Sequence, residues 1–239
     1  MRHLWLTVAL LAIVTPAGSQ EVAPRAHYLF GQPRLLTQQL IWGLAHGVKL
    51  LATACNSPRV AKAYAEWFDR QHGRIEAAKR DLAQHYFNRD TASDEALTAV
   101  LHLKSTLDRR PDEIAAACAT FAQAIASDRY DLELFYSLRR DAARVERAKA
   151  VRARVEKCLK RLPAGSAAAL TAQFSTWTRA NGELENVSRS RVLEHVGNVS
   201  WQHDAGAGAQ PPAVTCAHLA AALDRPAYAL AGVFRGGGK

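Results

Sequence analysis

Residues 36–87, LTQQLIWGLAHGVKLLATACNSPRVAKAYAEWFDRQHGRIEAAKRDLAQHYF, carry the pattern that decides the fold. Leu36, Leu40, Leu44, Val48 and Leu51 recur at four- and three-residue steps up to Cys55, the spacing of one helix face. Asn56-Ser57-Pro58 then ends one helix and opens another, because Ser favours the N-cap and Pro is tolerated in the first turn. Val60, Tyr64, Trp67, Ile75, Ala78, Leu82 and Tyr86 continue along one face to Phe87. Two long amphipathic helices joined by a tight turn follow from this stretch alone.

The same punctuation extends downstream. Ser93-Asp94-Glu95 predicts a short helix reaching Leu107, and Pro111-Asp112-Glu113 opens another that carries Ile114, Cys118, Phe121 and Ile125. A long charged helix is expected over 131–162, with Leu134, Leu138, Val145, Ala148, Val155, Leu159 and Leu162 as its core-facing stripe. Alternating β-branched runs bounded by turns are nearly absent. The expected class is all-α.

The second half resembles the first. Trp67 precedes His85 by 18 residues, and Trp177 precedes His195 by 18. Cys118 precedes Tyr130 by 12, as Cys216 precedes Tyr228. Between them Phe121 matches Leu219, Ile125 matches Leu223 and Leu132 matches Leu230 without a gap. Cys55 and Cys158 each end a helix before a Pro-containing turn and a Trp-bearing helix, although their distances to that Trp differ, 12 against 19. We therefore expect two tandem, weakly similar helical units of three or four helices, over 20–138 and 139–235, joined through the long basic helix. Residues 204–212 read as a loop, and 236–239 as a flexible tail.

The first 19 residues have the anatomy of a cleaved secretory signal. Arg2 supplies the positive charge, Leu4 to Val14 the apolar run, Thr15-Pro16 the break, and Ala17 and Ser19 the small residues of a cleavage site. The apolar run is too short for a membrane anchor, which needs about 18 residues. Heavy use of Ala and Arg suggests a bacterial chain and hence a periplasm, with secretion as the alternative. The four cysteines lie too far apart for zinc, thioredoxin-like or haem-attachment motifs. In an oxidising compartment they should form two bridges, and the repeat selects Cys55–Cys118 and Cys158–Cys216.

The precursor carries a net charge of +9, and residues 139–161 hold ten Lys/Arg against three Asp/Glu. Such a stripe attracts anionic envelope components or acidic proteins, with Arg144, Arg147, Arg152 and Arg154 as the expected contacts. The competing reading is a solvated outer face whose long side chains cover apolar surface. Export and the absence of interleaved aromatic residues argue against nucleic acid.

No nucleophile elbow, Ser-x-x-Lys or zinc motif is present. His195, His203, Asp204, His218 and Cys216 cluster in sequence without metal-site spacing, so surface or capping roles explain those histidines better. The repeat places His85 and His195 alike, which packing beneath a Trp helix accounts for more simply than a retained site. The leading expectation is a non-catalytic exported binding or scaffold protein without a cofactor. The alternative is an enzyme or metal-dependent accessory protein using His85, His195 and His203.

Overall fold

The computed structural model describes residues 28–195 and 207–234. Seven α-helices and no strand occur among them: α1 Pro33–Cys55, α2 Pro58–Phe87, α3 Asp94–Val100, α4 Pro111–Ile125, α5 Leu132–Leu159, α6 Ala164–Glu194 and α7 Cys216–Leu223. No described helix is long and apolar enough to cross a membrane. The expected leader and tail, and His203 with Asp204, lie outside the described residues.

Local chemistry sets the boundaries. Asn56 and Asn88 take positive φ, 43° and 53°, just after α1 and α2. Asn tolerates this left-handed conformation better than most residues. Pro58 and Pro111 occupy first turns, where a missing N–H costs nothing. Ser93 accepts from the Ala96 N–H at 3.2 Å, and Asp131 accepts from the Glu133 and Leu134 N–H groups at 3.0 Å.

Two expectations need correction. The helix opened by Ser93 stops at Val100 rather than Leu107, because His102 adopts φ 51°. On α1 the fully buried apolar residues are Leu36, Ile41, Trp42, Ala45 and Val48, whereas Leu40, Leu44 and Leu51 are only partly covered. The core-facing stripe is therefore rotated from the one the leucines suggest.

Two large apolar clusters form. Ile41, Trp42, Trp67, Leu82, Leu97, Phe121 and Leu132 are among the residues of one. Val151, Val155, Leu170, Trp177, Leu219, Tyr228 and Leu230 belong to the other. Helix α5 contributes to both and also packs against α1, α2, α6 and α7, so little of it faces solvent. Disulfides Cys55–Cys118 and Cys158–Cys216 tie α1 to α4 and the end of α5 to the start of α7.

Matched hydrogen bonds accompany the two cores. Trp67 donates its indole N–H to the Tyr130 carbonyl at 2.9 Å, and Trp177 donates to the Tyr228 carbonyl at 3.1 Å. Four residues after each Trp, a side-chain amide oxygen accepts a backbone N–H: Gln71 from Leu132 and Asn181 from Leu230, both at 2.9 Å. An acceptor inside each core thus satisfies a backbone donor that burial would otherwise strand.

Candidate functional site

The four arginines expected to meet an external anion each have a partner within the chain. Arg147 is 7 % exposed and donates to the carbonyls of Ala209 and Ala227. Burial pushes its guanidinium below the ordinary value. Arg154 donates to the Pro212 carbonyl at 2.6 Å and to the Tyr228 hydroxyl at 3.1 Å. Arg152 pairs with the buried Glu185 at 2.7 Å. Arg144 pairs at 3.0 Å with Asp141, which is 1 % exposed and also bridged by Arg140 and Arg191. These side chains fasten the 207–234 segment and α6 onto α5. The exposed cations of this helix and its end are instead Lys149, Lys157, Lys160 and Arg161.

The histidines are dispersed. His85 is exposed on the last turn of α2, its ring 4.8 Å from that of Tyr86, so packing beneath the Trp helix does not explain it. His195 follows α6, with Nδ1 at 2.9 Å from the Arg191 carbonyl. His218 pairs with the Thr215 hydroxyl at 2.8 Å. Among the described residues no three His, Cys, Asp or Glu side chains are grouped as metal ligands.

A cleft of about 570 Å³ opens between α1, α2 and α3. Trp42, Ala45 and Leu50 from α1, and Tyr64, Phe68 and Ile75 from α2, make its apolar walls. Asp94, Glu95 and Thr98 from α3, with His46 and Lys49 from α1, add polar groups. His46 Nε2 lies 2.8 Å from the Lys104 carbonyl, tying the chain beyond α3 to α1. Apolar walls with a few convergent polar groups are the usual composition of a small-molecule site.

Asp94 anchors the polar side. Lys79 reaches it at 2.9 Å and Lys49 at 3.6 Å. Burial opposes the Asp94 charge, but the hydrogen bond and charge of Lys79, helped by Lys49, outweigh it and hold the carboxyl below its ordinary range. Burial first, then the Asp94 charge, pushes the Tyr64 phenol upward, so that it stays protonated at neutral pH. Trp42 is 5 % exposed, and its indole N–H finds no acceptor among the described residues. The cleft therefore offers ring surface, a protonated phenol, carboxylates and an ammonium group.

The second half carries different residues at the positions that correspond to this cleft. Counting back from the disulfide cysteine that ends each helix, α5 has Val145 where α1 has Trp42, and Arg152 where α1 has Lys49. Counting on from each Trp, Glu185 stands where α2 has Ile75. The Arg152–Glu185 ion pair thus stands at the positions of Lys49 and Ile75, so a carboxylate replaces one residue of the apolar wall. None of the cleft's side chains stands out as a site in the sequence, because three successive helices each supply a few of them. Tyr64 and Ile75 read there as members of one helix face, and Asp94 with Glu95 as a helix start.

Comparison of this chain with protein-family models, with curated proteins and with solved structures finds no match. What the molecule presents is an all-α protein with two disulfides and a cleft on one half.

Proposed function

We propose that this is an exported, non-catalytic binding protein of the periplasm or extracellular space, built as two tandem helical units over 20–138 and 139–235. Its ligand site is the cleft between α1, α2 and α3. The apolar walls of Trp42, Tyr64, Phe68 and Ile75, with the polar groups of His46, Lys49 and Asp94 converging on them, carry the reading. The paired disulfides support an oxidising compartment, and the matched Trp–Tyr bonds support the tandem organisation.

The test is a thermal-shift screen of small amphipathic compounds on the mature, oxidised chain, with Ala99→Trp as the control. Ala99 is exposed on the α3 wall, so a larger side chain there obstructs the cleft and spares the core. A ligand that binds the folded state alone raises Tm by mass action. The expected result is stabilisation of the parent and none of the variant. Equal responses in both, or none in either, defeat the proposal.

A second reading, attraction to an anionic envelope component or acidic protein, now rests on Lys157, Lys160 and Arg161, which are exposed around the end of α5. Replacing all three with Gln should abolish sedimentation with phosphatidylglycerol vesicles at low salt. Unchanged sedimentation would exclude this surface.

A further inference from the structure

Where the first half of α5 meets the last turns of α6, one carboxylate serves three cations. Asp141 is buried, with Arg140 Nε at 3.4 Å, Arg144 Nη1 at 3.0 Å and Arg191 Nη1 at 3.4 Å from its oxygens. The Ser188 hydroxyl donates to Asp141 at 3.3 Å, and Arg191 donates to the Ser137 hydroxyl at 2.8 Å. Among the described residues no further acid bridges the trio. Glu133 meets Arg74, Glu146 meets Lys149, and Glu194 makes no ion pair there. Three guanidinium groups and one carboxylate leave two positive charges in excess.

That excess reaches solvent. Arg140 and Arg191 keep 32 % and 38 % of their side chains exposed. Arg140 turns only Nε to Asp141, so both of its terminal nitrogens have no acceptor among the described residues. Arg144 is more deeply set and adds charge from behind. Burial first, then the charge of Arg140, presses its guanidinium below the ordinary value against the pull of Asp141, and Arg191 adds to the push. Like charges held this close repel, and an anion beside them relieves the repulsion. Guanidinium groups suit oxyanions, because their N–H forks match paired oxygens. An excess of two charges matches a phosphate monoester, which carries about −1.5 to −2 near neutrality and three acceptor oxygens. A carboxylate or a phosphate diester, with a single charge, cancels half of it.

We infer that Arg140 and Arg191, backed by Arg144, form a binding site for a phosphate monoester at the seam of α5 and α6. Asp141 stays beneath the ligand and holds the three guanidinium groups together, while their outward N–H groups take the phosphate oxygens. The site is separate from the cleft, which α1, α2 and α3 bound, and stands whether or not that cleft binds a ligand. The monoester can belong to a soluble metabolite or to a lipid headgroup, and the chemistry of recognition is the same.

Two assays on the mature, oxidised chain at low salt test the inference and separate the sources. Calorimetric titration compares glycerol 3-phosphate with dimethyl phosphate and acetate, each singly charged. Sedimentation compares phosphatidylcholine vesicles containing phosphatidic acid, a monoester, with vesicles containing phosphatidylglycerol, a diester. The monoester should be preferred by about tenfold or more in at least one assay. Calorimetric preference alone assigns a soluble ester, and vesicle preference alone assigns a lipid headgroup. Arg140→Gln should weaken monoester binding by about tenfold, and Arg140→Lys, which keeps the charge but loses the fork, by about threefold. Both substitutions fall at a half-exposed side chain, so Tm without ligand should stay close to that of the parent. Lys157→Gln, on the last turn of α5, should leave the affinity unchanged. Equal binding of the singly charged anions, or no binding in either assay, overturns the site. Monoester affinity that survives Arg140→Gln, or that Lys157→Gln lowers as much, overturns its location.

Discussion

Trp177 donates its indole N–H to the Tyr228 carbonyl, joining α6 to the segment after α7 by a hydrogen bond of 3.1 Å inside the second core. Trp67 makes the corresponding bond to Tyr130 in the first. Each bond fixes the depth at which a long helix sits against the chain that returns from a disulfide. Trp67→Phe and Trp177→Phe should each cost about 2–3 kcal/mol, from the lost ring volume and a stranded carbonyl. Urea denaturation at equal slope would measure it, and a loss below 1 kcal/mol for either would show that the bond is dispensable.

Each disulfide closes a long loop, with sequence separations of 63 and 58 residues. In the chain-entropy model such a link stabilises by roughly 4 kcal/mol, and often less in practice. Cys55→Ser/Cys118→Ser and Cys158→Ser/Cys216→Ser should therefore both lower Tm clearly. Reduction of the parent should lower it further than either double variant. Insensitivity of the melting curve to reductant would contradict this.

Arg147 should matter far more than its exposed neighbours. Its guanidinium satisfies two carbonyls from the 207–234 segment, so Arg147→Met leaves both without that donor. A loss of about 2–4 kcal/mol is expected, together with faster proteolysis near Ala209. Lys157→Gln, at an exposed position in the last turn of α5, should stay within about 0.5 kcal/mol. Similar losses for the two substitutions would contradict the internal role of Arg147.

The Asp94–Lys79 pair predicts a pH dependence of defined sign. The folded Asp94 carboxyl lies below its ordinary value of 3.8, so its contribution is present above that value and fades as pH falls through the lower folded one. Lys79 lies above its ordinary 10.5, so its contribution is present below 10.5 and fades as pH rises through the higher folded value. Asp94→Asn should therefore be less stable than the parent near neutrality, by under about 1 kcal/mol because both partners keep contact with solvent. The difference should close in acid well below pH 3.8. A gap that widens in acid would show that the pairing is misassigned.

Helix ends were legible because their causes are local. Pro58 and Pro111 mark first turns, Asp131 caps α5, and Asn56 and Asn88 close α1 and α2, each within a few residues of the boundary it sets. The end of α3 was not legible, since His102 enters the left-handed region without the Gly or Asn that usually signals it. Cysteine pairing could be read because spacing around Cys118 and Cys216 repeats, and the bridges follow that spacing.

The order and amphipathic character of the helices, and the choice among cysteine partners, are properties of short-range spacing, and the chain carries them in its residues alone. The destinations of the α5 arginines are of another kind. A basic run on a helix reads as a surface, because charge is rarely buried unless paired. Here the partners are Ala209, Ala227 and Glu185, supplied from far along the chain once α5 lies between two layers. The same holds for the cleft, where Trp42, Tyr64 and Glu95 become neighbours only when three separate helices pack together. Burial and partnership depend on what comes to rest opposite a residue, and no spacing along one helix contains that information.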